Sequence, residues 1–159
     1  MNFKFIGTII IWLLLAGGLF IIFDAKEHPN TSEKLGQSGT EVRLERDLSG
    51  HYRAEAFING VKTSVLVDTG ATDVSISRKF AGQLGIQSIA ATRTQTANGE
   101  TVAYMTRLKS VKLGGIEAND VATTIVNDLG EDMLLGMSFL NRMDVRLNKG
   151  IMTIRAVSD

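Results

Sequence analysis

The sequence predicts a mostly β domain with one or two short helices, preceded by an N-terminal transmembrane helix. Three observations support this fold class. Short apolar or alternating segments recur from Val42 onward, and turns containing glycine, such as Asn59-Gly60, separate them. The stretch Phe5–Phe23, which contains no charged residue, precedes all of these segments. A polar segment lies between this stretch and the first strand.

The uncharged stretch Phe5–Phe23 would form a helix about 28 Å long, close to the thickness of a bilayer core. A cleaved signal peptide is the competing interpretation, but its apolar region usually spans only about 7–15 residues. Asp24-Ala25-Lys26 is also a poor cleavage site. We therefore expect an uncleaved anchor. Lys4 precedes the span, which slightly favours a cytoplasmic N-terminus and a periplasmic or otherwise extracytoplasmic domain.

Three regions follow from this division of the chain. Residues 1–24 form the anchor with its short N-terminal flank, residues 25–40 form a flexible polar linker, and residues 41–159 form one globular domain. A fully extended linker would reach about 50 Å from the membrane. Two anchored copies could therefore meet.

The composition argues against several classes of function. The chain has 17 Lys and Arg residues and 17 Asp and Glu residues, so no net charge attracts nucleic acid. It has no cysteine, which excludes disulfides, thiolate catalysis and cysteine zinc sites. With only His28 and His51, a Ser-His-Asp triad or histidine metal site has little to draw on. We expect no metal and no cofactor.

The strands are predicted from period-two alternation and turn signals. Two short helical segments are expected, Arg78 to Leu84 with a glycine stop at Gly85, and a helical turn from Phe139 to Arg142. The predicted strands lie at Val42 to Leu44, His51 to Ile58, Val61 to Val67, Val74 to Ser77, either side of Asn98-Gly99 within Thr92 to Arg107, Leu108 to Leu113, Val121 to Val126, Val145 to Leu147 and Ile151 to Val157.

The most informative segment is Asp68-Thr69-Gly70-Ala71, which directly follows the apolar run Val65-Leu66-Val67. A carboxylate at the end of such a strand, followed by glycine, can be fixed by backbone amides of a tight turn. An ordinary strand-to-turn junction would show the same residues. A second apolar element, Leu134-Leu135-Gly136, lies about 65 residues downstream, and this pairing is much less common.

Together with the hairpin around Asn98-Gly99, these two elements resemble the retroviral-type, or retropepsin-like, aspartic proteases. They look most like the bacterial, membrane-anchored members of that clan. The resemblance spans Glu41 to Arg155 and implies a closed β-barrel, the acid-protease lobe. It also implies peptide or protein substrates and a homodimer, because the chain contains only one Asp-Thr-Gly.

The resemblance implies a role for each motif. Asp68 would be the acid/base that activates water, Thr69 would hydrogen-bond across the dimer, Gly70 would bring the backbone close to the carboxylate and substrate, and Ala71 would keep the next position small. A further hairpin, formed by Ala97, Asn98, Gly99 and Glu100, falls where the family has its mobile flap, although a simple surface hairpin has the same spacing. Leu134, Leu135 and Gly136 would support the catalytic loop from behind, and a generic buried strand is the alternative.

Two positions depart from the viral pattern. Thr72 and Met137 stand where viral members usually carry an acidic residue and an arginine, so both partners of one ion pair are replaced together. This departure weakens any transfer of viral dimer contacts. Asp73 is either a substrate contact or an exposed turn carboxylate. The segment Ile151 to Ile154 either joins a dimer sheet or pairs within its own chain.

Three hypotheses follow. The leading one is a membrane-anchored aspartic endopeptidase with an Asp68 dyad at a homodimer interface and an acidic-to-neutral pH optimum. The second is a non-catalytic peptide-binding or dimerisation module with the same fold. The third is an anchored scaffold in which Asp-Thr-Gly is coincidental, which would be a stable monomer.

Overall fold

A computed structural model describes residues 3–35, 39–96, 99–127, 129–130 and 132–157. Four helices and ten strands occur in these ranges. The helices are α1 (Phe3–Glu27), α2 (Ser32–Leu35), α3 (Arg78–Gln83) and α4 (Met137–Leu140). The strands are β1 (Glu41–Glu45), β2 (Arg53–Ile58), β3 (Val61–Val67), β4 (Val74–Ser77), β5 (Ala90–Thr96), β6 (Gly99–Leu113), β7 (Ile116–Val126), β8 (Met133–Leu135), β9 (Met143–Asn148) and β10 (Ile151–Ala156).

Six strands close into a barrel. The larger sheet has the order β2-β3-β8-β4-β7-β6-β5, and an additional pairing of β2 with β6 closes it. The pairs β3–β8 and β4–β7 are parallel, whereas the other neighbours in this sheet are antiparallel. Closure leaves the barrel without an open edge at β2 and β6. The predicted mostly β barrel with short helices is confirmed.

Alternation along the strands produces the core. In β2, the side chains of Ala54, Ala56 and Ile58 are buried and those between them are partly exposed. The turn that follows has positive φ at both Asn59 (49°) and Gly60 (82°), as a type I′ hairpin requires. This turn fixes the register of β3, and Val65 and Val67 therefore also face the core.

A second, three-stranded sheet has the order β1-β10-β9. The alternation predicted at Val42 and Leu44 is confirmed, since both are buried in β1. The alternatives for Ile151 to Ile154 are resolved in favour of pairing within the chain, because β10 lies between β1 and β9.

The predicted helices are present with small shifts. Ser77 accepts a hydrogen bond from the Phe80 backbone N–H at 3.1 Å and caps α3, and Gly85 ends it with φ 63°. The helical turn expected from Phe139 to Arg142 begins two residues earlier, at Met137. Its first backbone N–H groups bond to the loop after β3 rather than to a side-chain cap, a long-range contact with no local sequence signal.

One predicted boundary between two strands is wrong. The strands expected to end at Arg107 and to begin at Leu108 are a single strand, β6. No glycine or proline lies between Gly99 and Leu113 to interrupt the ladder, which pairs with β7 up to the turn at Gly114.

Of the segment 25–40, predicted to be a flexible linker, the structure describes residues 25–35 and 39–40. Residues 25–27 belong to α1, α2 follows, and Asn30 is only 4% exposed. The polar composition was typical of a loop, but the Asn30 side chain finds backbone partners in the domain. The domain boundaries at residues 24 and 40 stay a prediction.

Candidate active site

Asp68 lies where β3 leaves the barrel. Its backbone N–H donates to the Leu135 carbonyl oxygen at 3.2 Å, which continues the parallel pairing of β3 with β8 by one step. The residue is half-buried, and Thr69 and Gly70 are exposed. The strand therefore delivers a carboxylate to the surface from a rigid, buried support.

The turn after β3 orients this carboxylate. The Gly70 backbone N–H donates to Asp68 Oδ1 at 2.8 Å, and the Ala71 N–H donates to the Asp68 carbonyl oxygen at 3.3 Å. A Cβ added at Gly70 would lie 3.2 Å from Asp68 Oδ1, so glycine leaves this oxygen room. The turn thus holds one oxygen of the acid through a backbone donor.

Gly136 packs directly behind this turn. A Cβ at this position would lie 2.2 Å from the Asp73 carbonyl oxygen and 2.7 Å from the Ala71 carbonyl oxygen. The Met137 N–H donates to that Ala71 oxygen at 2.8 Å. The two motifs that the sequence separated by about 65 residues are therefore in backbone contact.

Ser138 is a supporting residue that sequence reasoning missed. Its N–H donates to the Thr72 carbonyl oxygen at 2.9 Å, and its Oγ donates to the Ala122 carbonyl oxygen at 2.7 Å. The same Oγ accepts the Val74 N–H at 2.9 Å. Ser138 joins the turn that carries Asp68, β4 and β7. Its only sequence signal was its place two residues after Gly136.

Leu134 and Leu135, which precede Gly136 in the chain, have different environments. Leu135 is fully buried in the barrel core, whereas Leu134 is half-buried on the opposite face of β8. Asp73 is half-buried, and its Oδ2 accepts a hydrogen bond from Thr124 Oγ1 at 3.3 Å.

The predicted flap is described only in part. β5 and β6 form the expected antiparallel hairpin, with Thr96 paired to Gly99 and Gln95 paired to Glu100. Ala97 and Asn98, the tip of this hairpin, lie outside the described residues. The function of the hairpin as a flap stays a prediction.

A cavity of about 1050 Å³ lies along β3 and β8, and we call it the β3–β8 cavity. Leu66 and Leu134 line it, and they are register partners in these two strands. Since side chains two apart share a strand face, Leu66 lies on the same face as Asp68, about 7 Å along the strand. The lining residue of β3 nearest to the candidate acid in the chain is therefore Leu66, two residues before Asp68.

An ion network that includes Arg53, Ser64 and Asp132 lines this cavity. Arg53 Nε donates to Asp132 Oδ2 at 2.7 Å, and Ser64 Oγ donates to Asp132 Oδ1 at 2.5 Å. Arg53 also pairs with Asp47, whose side chain is only 2% exposed. Four parts of the chain meet here, namely β2, β3, the segment between β1 and β2, and the segment before β8.

Asp47 is held ionised by its partners. Burial by itself would raise the pKa of this carboxyl, but hydrogen bonds from the Ser49 side chain, the His51 backbone N–H and Arg53 outweigh that effect. Together with the positive charge of Arg53 they lower the pKa of Asp47 from 3.8 to about 2.

No group of three or more His, Asp or Glu side chains that would hold a metal ion occurs among the residues that the structure describes. α1 is long and apolar enough to cross a membrane, by its length and composition.

Comparisons with known proteins agree with this geometry. The family model for gag-polyprotein aspartyl proteases matches residues 54–142, which include β2, the Asp68 turn, the β5–β6 hairpin, β8 and α4. A crystal structure of a retropepsin-like aspartic protease from Rickettsia conorii superposes with a TM-score of 0.61 at 30% identity, covering 73% of this chain and 89% of that chain. The protease of EIAV, solved with the inhibitor HBY-793, shares the fold with a TM-score of 0.52 at 18% identity, covering 62% of this chain and 92% of its own.

Two curated relatives are uncharacterized proteins. One, from a Sinorhizobium species, is 31% identical over 109 residues, which are 66% of this chain and 47% of the relative. Another, from Rickettsia prowazekii, is 35% identical over 118 residues, 72% of this chain and 51% of the relative. The chain thus spans about half the length of the curated relatives it matches.

Proposed function

Because this chain belongs to the retropepsin-like aspartic proteases, we propose that it is a membrane-anchored endopeptidase whose catalytic dyad joins the Asp68 carboxylates of two copies. One observation carries the proposal. Asp68 stands at the exit of a buried strand, with one oxygen held by the Gly70 N–H and the turn locked from behind by Gly136. Such a rigid acid suits catalysis that depends on a fixed carboxylate.

The dimer follows from the chemistry. Hydrolysis by an activated water needs one carboxylate to accept a proton and another to donate one. Each chain has a single Asp-Thr-Gly, so the second carboxylate comes from a symmetry-related copy. Thr69 is exposed beside Asp68, where it is free to face the partner's turn, as the family resemblance implies.

In the proposed reaction, one Asp68 is ionised and the other is protonated. The ionised group takes a proton from water as the water oxygen bonds to the carbonyl carbon of the peptide. The protonated group gives its proton to the carbonyl oxygen. The carbon–nitrogen bond then breaks as the nitrogen takes the proton that the first group received from water, and a hydroxyl of the intermediate returns a proton to the second group as the carbonyl reforms. The two products contain one added water, and both Asp68 groups are back in their starting states. Because two adjacent carboxylates titrate as a pair, we expect an acidic-to-neutral optimum.

Membrane anchoring is supported by the surface of α1. Large apolar side chains are mostly exposed along it, including Trp12 at 68% and Phe20 at 72%. Exposing this apolar surface to water is unfavourable, and a bilayer would cover it. The slight charge bias around the span supports a cytoplasmic N-terminus and a periplasmic catalytic domain.

The direct test uses the full chain in detergent with a peptide library from about pH 4 to about pH 7. Wild type and Asp120→Asn should cleave, and Asp68→Asn should not. Asp120 provides the matched control because it lies on the exposed surface of β7 and its φ of 52° is one that asparagine tolerates. Cleavage that survives in Asp68→Asn would exclude the dyad. Tight peptide binding without cleavage by any of the three proteins would favour a binding module.

A further inference from the structure

The N-terminal anchor is clamped to the catalytic domain by one buried asparagine. Asn30 Nδ2 donates to the carbonyl oxygens of Glu45 at 2.7 Å and Arg53 at 2.8 Å. Its Oδ1 accepts the Glu45 N–H at 2.7 Å, and its own carbonyl oxygen accepts the Glu55 N–H at 3.1 Å. The side chain therefore bridges the end of β1 and the start of β2 with its hydrogen bonds satisfied.

The connection from α1 to this clamp is very short. Only His28 and Pro29 separate Glu27, the last residue of α1, from Asn30. The His28 N–H donates to the Asp24 carbonyl oxygen at 2.9 Å and prolongs the helix, and Pro29 has a fixed φ. Asn30 is three residues beyond Glu27, so their Cα atoms are at most about 11 Å apart, compared with the 50 Å that a fully extended linker would reach.

The same connection borders the β3–β8 cavity. Glu27 and His28 line this cavity together with Leu66 and Leu134. Leu66 lies about 7 Å along β3 from Asp68, on the same strand face. The backbone path from Asn30 to the candidate acid runs through Arg53, whose carbonyl oxygen Asn30 binds, and through its register partner Leu66, a distance of roughly 20 Å.

From this arrangement we infer that the enzyme cleaves membrane proteins at bonds close to the bilayer surface. This inference rests on the proposed function and adds the class of substrate to it. α1 has 25 residues, about 37 Å of helix, so its end emerges at the headgroup layer when it crosses a core of about 30 Å. An extended substrate would cover the remaining 20 Å with about six residues. Bonds farther along a long soluble domain would seldom be presented at this height.

The test uses the full-length enzyme in phosphatidylcholine vesicles with a single-span substrate protein. A sequence that the enzyme cleaves as a free peptide is placed about 6 or about 40 residues from the substrate's span, within a Gly/Ser segment. We expect cleavage at the near position to be at least about tenfold faster, because the clamp restricts the height of the site above the membrane.

Two insertion variants test whether the short connection after α1 causes the preference for the near cleavage position. A flexible segment of about 20 residues between Glu27 and His28 should remove the preference for the near site and leave free-peptide cleavage unchanged. The same segment placed ahead of α1 should keep the preference. Because both insertions leave Asn30 and its partners intact, neither depends on a variant that weakens the domain.

The outcomes separate this inference from the proposed function. Equal cleavage at both distances by the unmodified enzyme, with the free peptide cleaved, overturns the inference and leaves the protease assignment standing. A near-site preference that survives the insertion after Glu27 also overturns it, because the clamp would not be its cause. Failure to cleave even the free peptide contradicts the proposed function itself.

Discussion

Gly136 lies so close to Asp73 that a single added Cβ atom would stand 2.2 Å from the Asp73 carbonyl oxygen. The neighbouring contact with the Ala71 carbonyl oxygen is nearly as short, at 2.7 Å. Both partners are backbone atoms of the segment that carries Asp68, so no side-chain rotation relieves the contact. The position of the candidate acid therefore depends on a glycine in a distant segment of the sequence.

Gly136→Ala should accordingly destabilise the protein by about 3 kcal/mol or more, because backbone must move to admit the methyl group. Peptidase activity should fall with it, since the displaced backbone is the turn that orients Asp68. Denaturant unfolding and peptide cleavage would measure both effects.

Gly82→Ala is the matched control for this substitution. Gly82 lies in α3, and an added Cβ there meets nothing within 4 Å. Alanine in a helix should be neutral or stabilising by up to about 1 kcal/mol. Equal stability of the two variants would show that the backbone around Gly136 can accommodate a methyl group without cost.

Ser138→Ala should lower stability by about 1–3 kcal/mol, because it leaves the Val74 N–H and the Ala122 carbonyl oxygen without their partner. We also expect a larger loss in kcat than in substrate binding, since Thr72 and Val74 flank the catalytic loop. Steady-state kinetics on a peptide substrate would measure the effects on kcat and on KM separately. Ser88→Ala, at an exposed position, provides the control, and an equal effect of the two changes would contradict the supporting role of Ser138.

Asp47 should make the free energy of unfolding depend on pH below about pH 4. Its pKa is about 2 in the folded protein and 3.8 in the unfolded chain, so its contribution is fully present above the unfolded value. That contribution, about 2 kcal/mol, is lost as the pH falls through the folded value. The network with Arg53 would therefore persist throughout an acidic-to-neutral working range.

The substitution Asp47→Asn tests this pH dependence. Between about pH 4 and about pH 2 the free energy of unfolding should fall less steeply in the variant than in wild type, since asparagine has no proton to gain. Unfolding by denaturant at several pH values would measure the two slopes. Parallel slopes would mean that Asp47 is not held ionised by its partners.

Local patterns predicted the elements of this fold well. The alternation at Ala54, Ala56 and Ile58 and the turn at Asn59-Gly60 set the register of β3, and that register places Asp68 at a strand end. The chain's resemblance to a known family then linked Asp68 with Leu134-Leu135-Gly136, and in the fold the N–H of Met137, next to Gly136, donates to the Ala71 carbonyl oxygen. The role of these residues in catalysis stays a prediction.

Long-range polar contacts were not predictable in the same way. Asn30 bonds to backbone groups 15 and 23 residues away, and Ser138 bonds to a carbonyl 16 residues away in β7. Backbone acceptors exist at every position, so no residue pattern marks the one that a distant side chain will reach. Asn30 was therefore assigned to a loop by its composition, and the short path from α1 to the cavity became visible only in the fold.

The central claim is that catalysis needs Asp68 from two copies. It is tested most directly by co-expressing wild-type and Asp68→Asn chains with different affinity tags and purifying the mixed dimer. The mixed dimer should have essentially no peptidase activity, whereas a doubly tagged wild-type dimer prepared in the same way should be fully active. A mixed dimer that retains half or more of the wild-type activity would show that each chain works alone and would rule out the shared dyad.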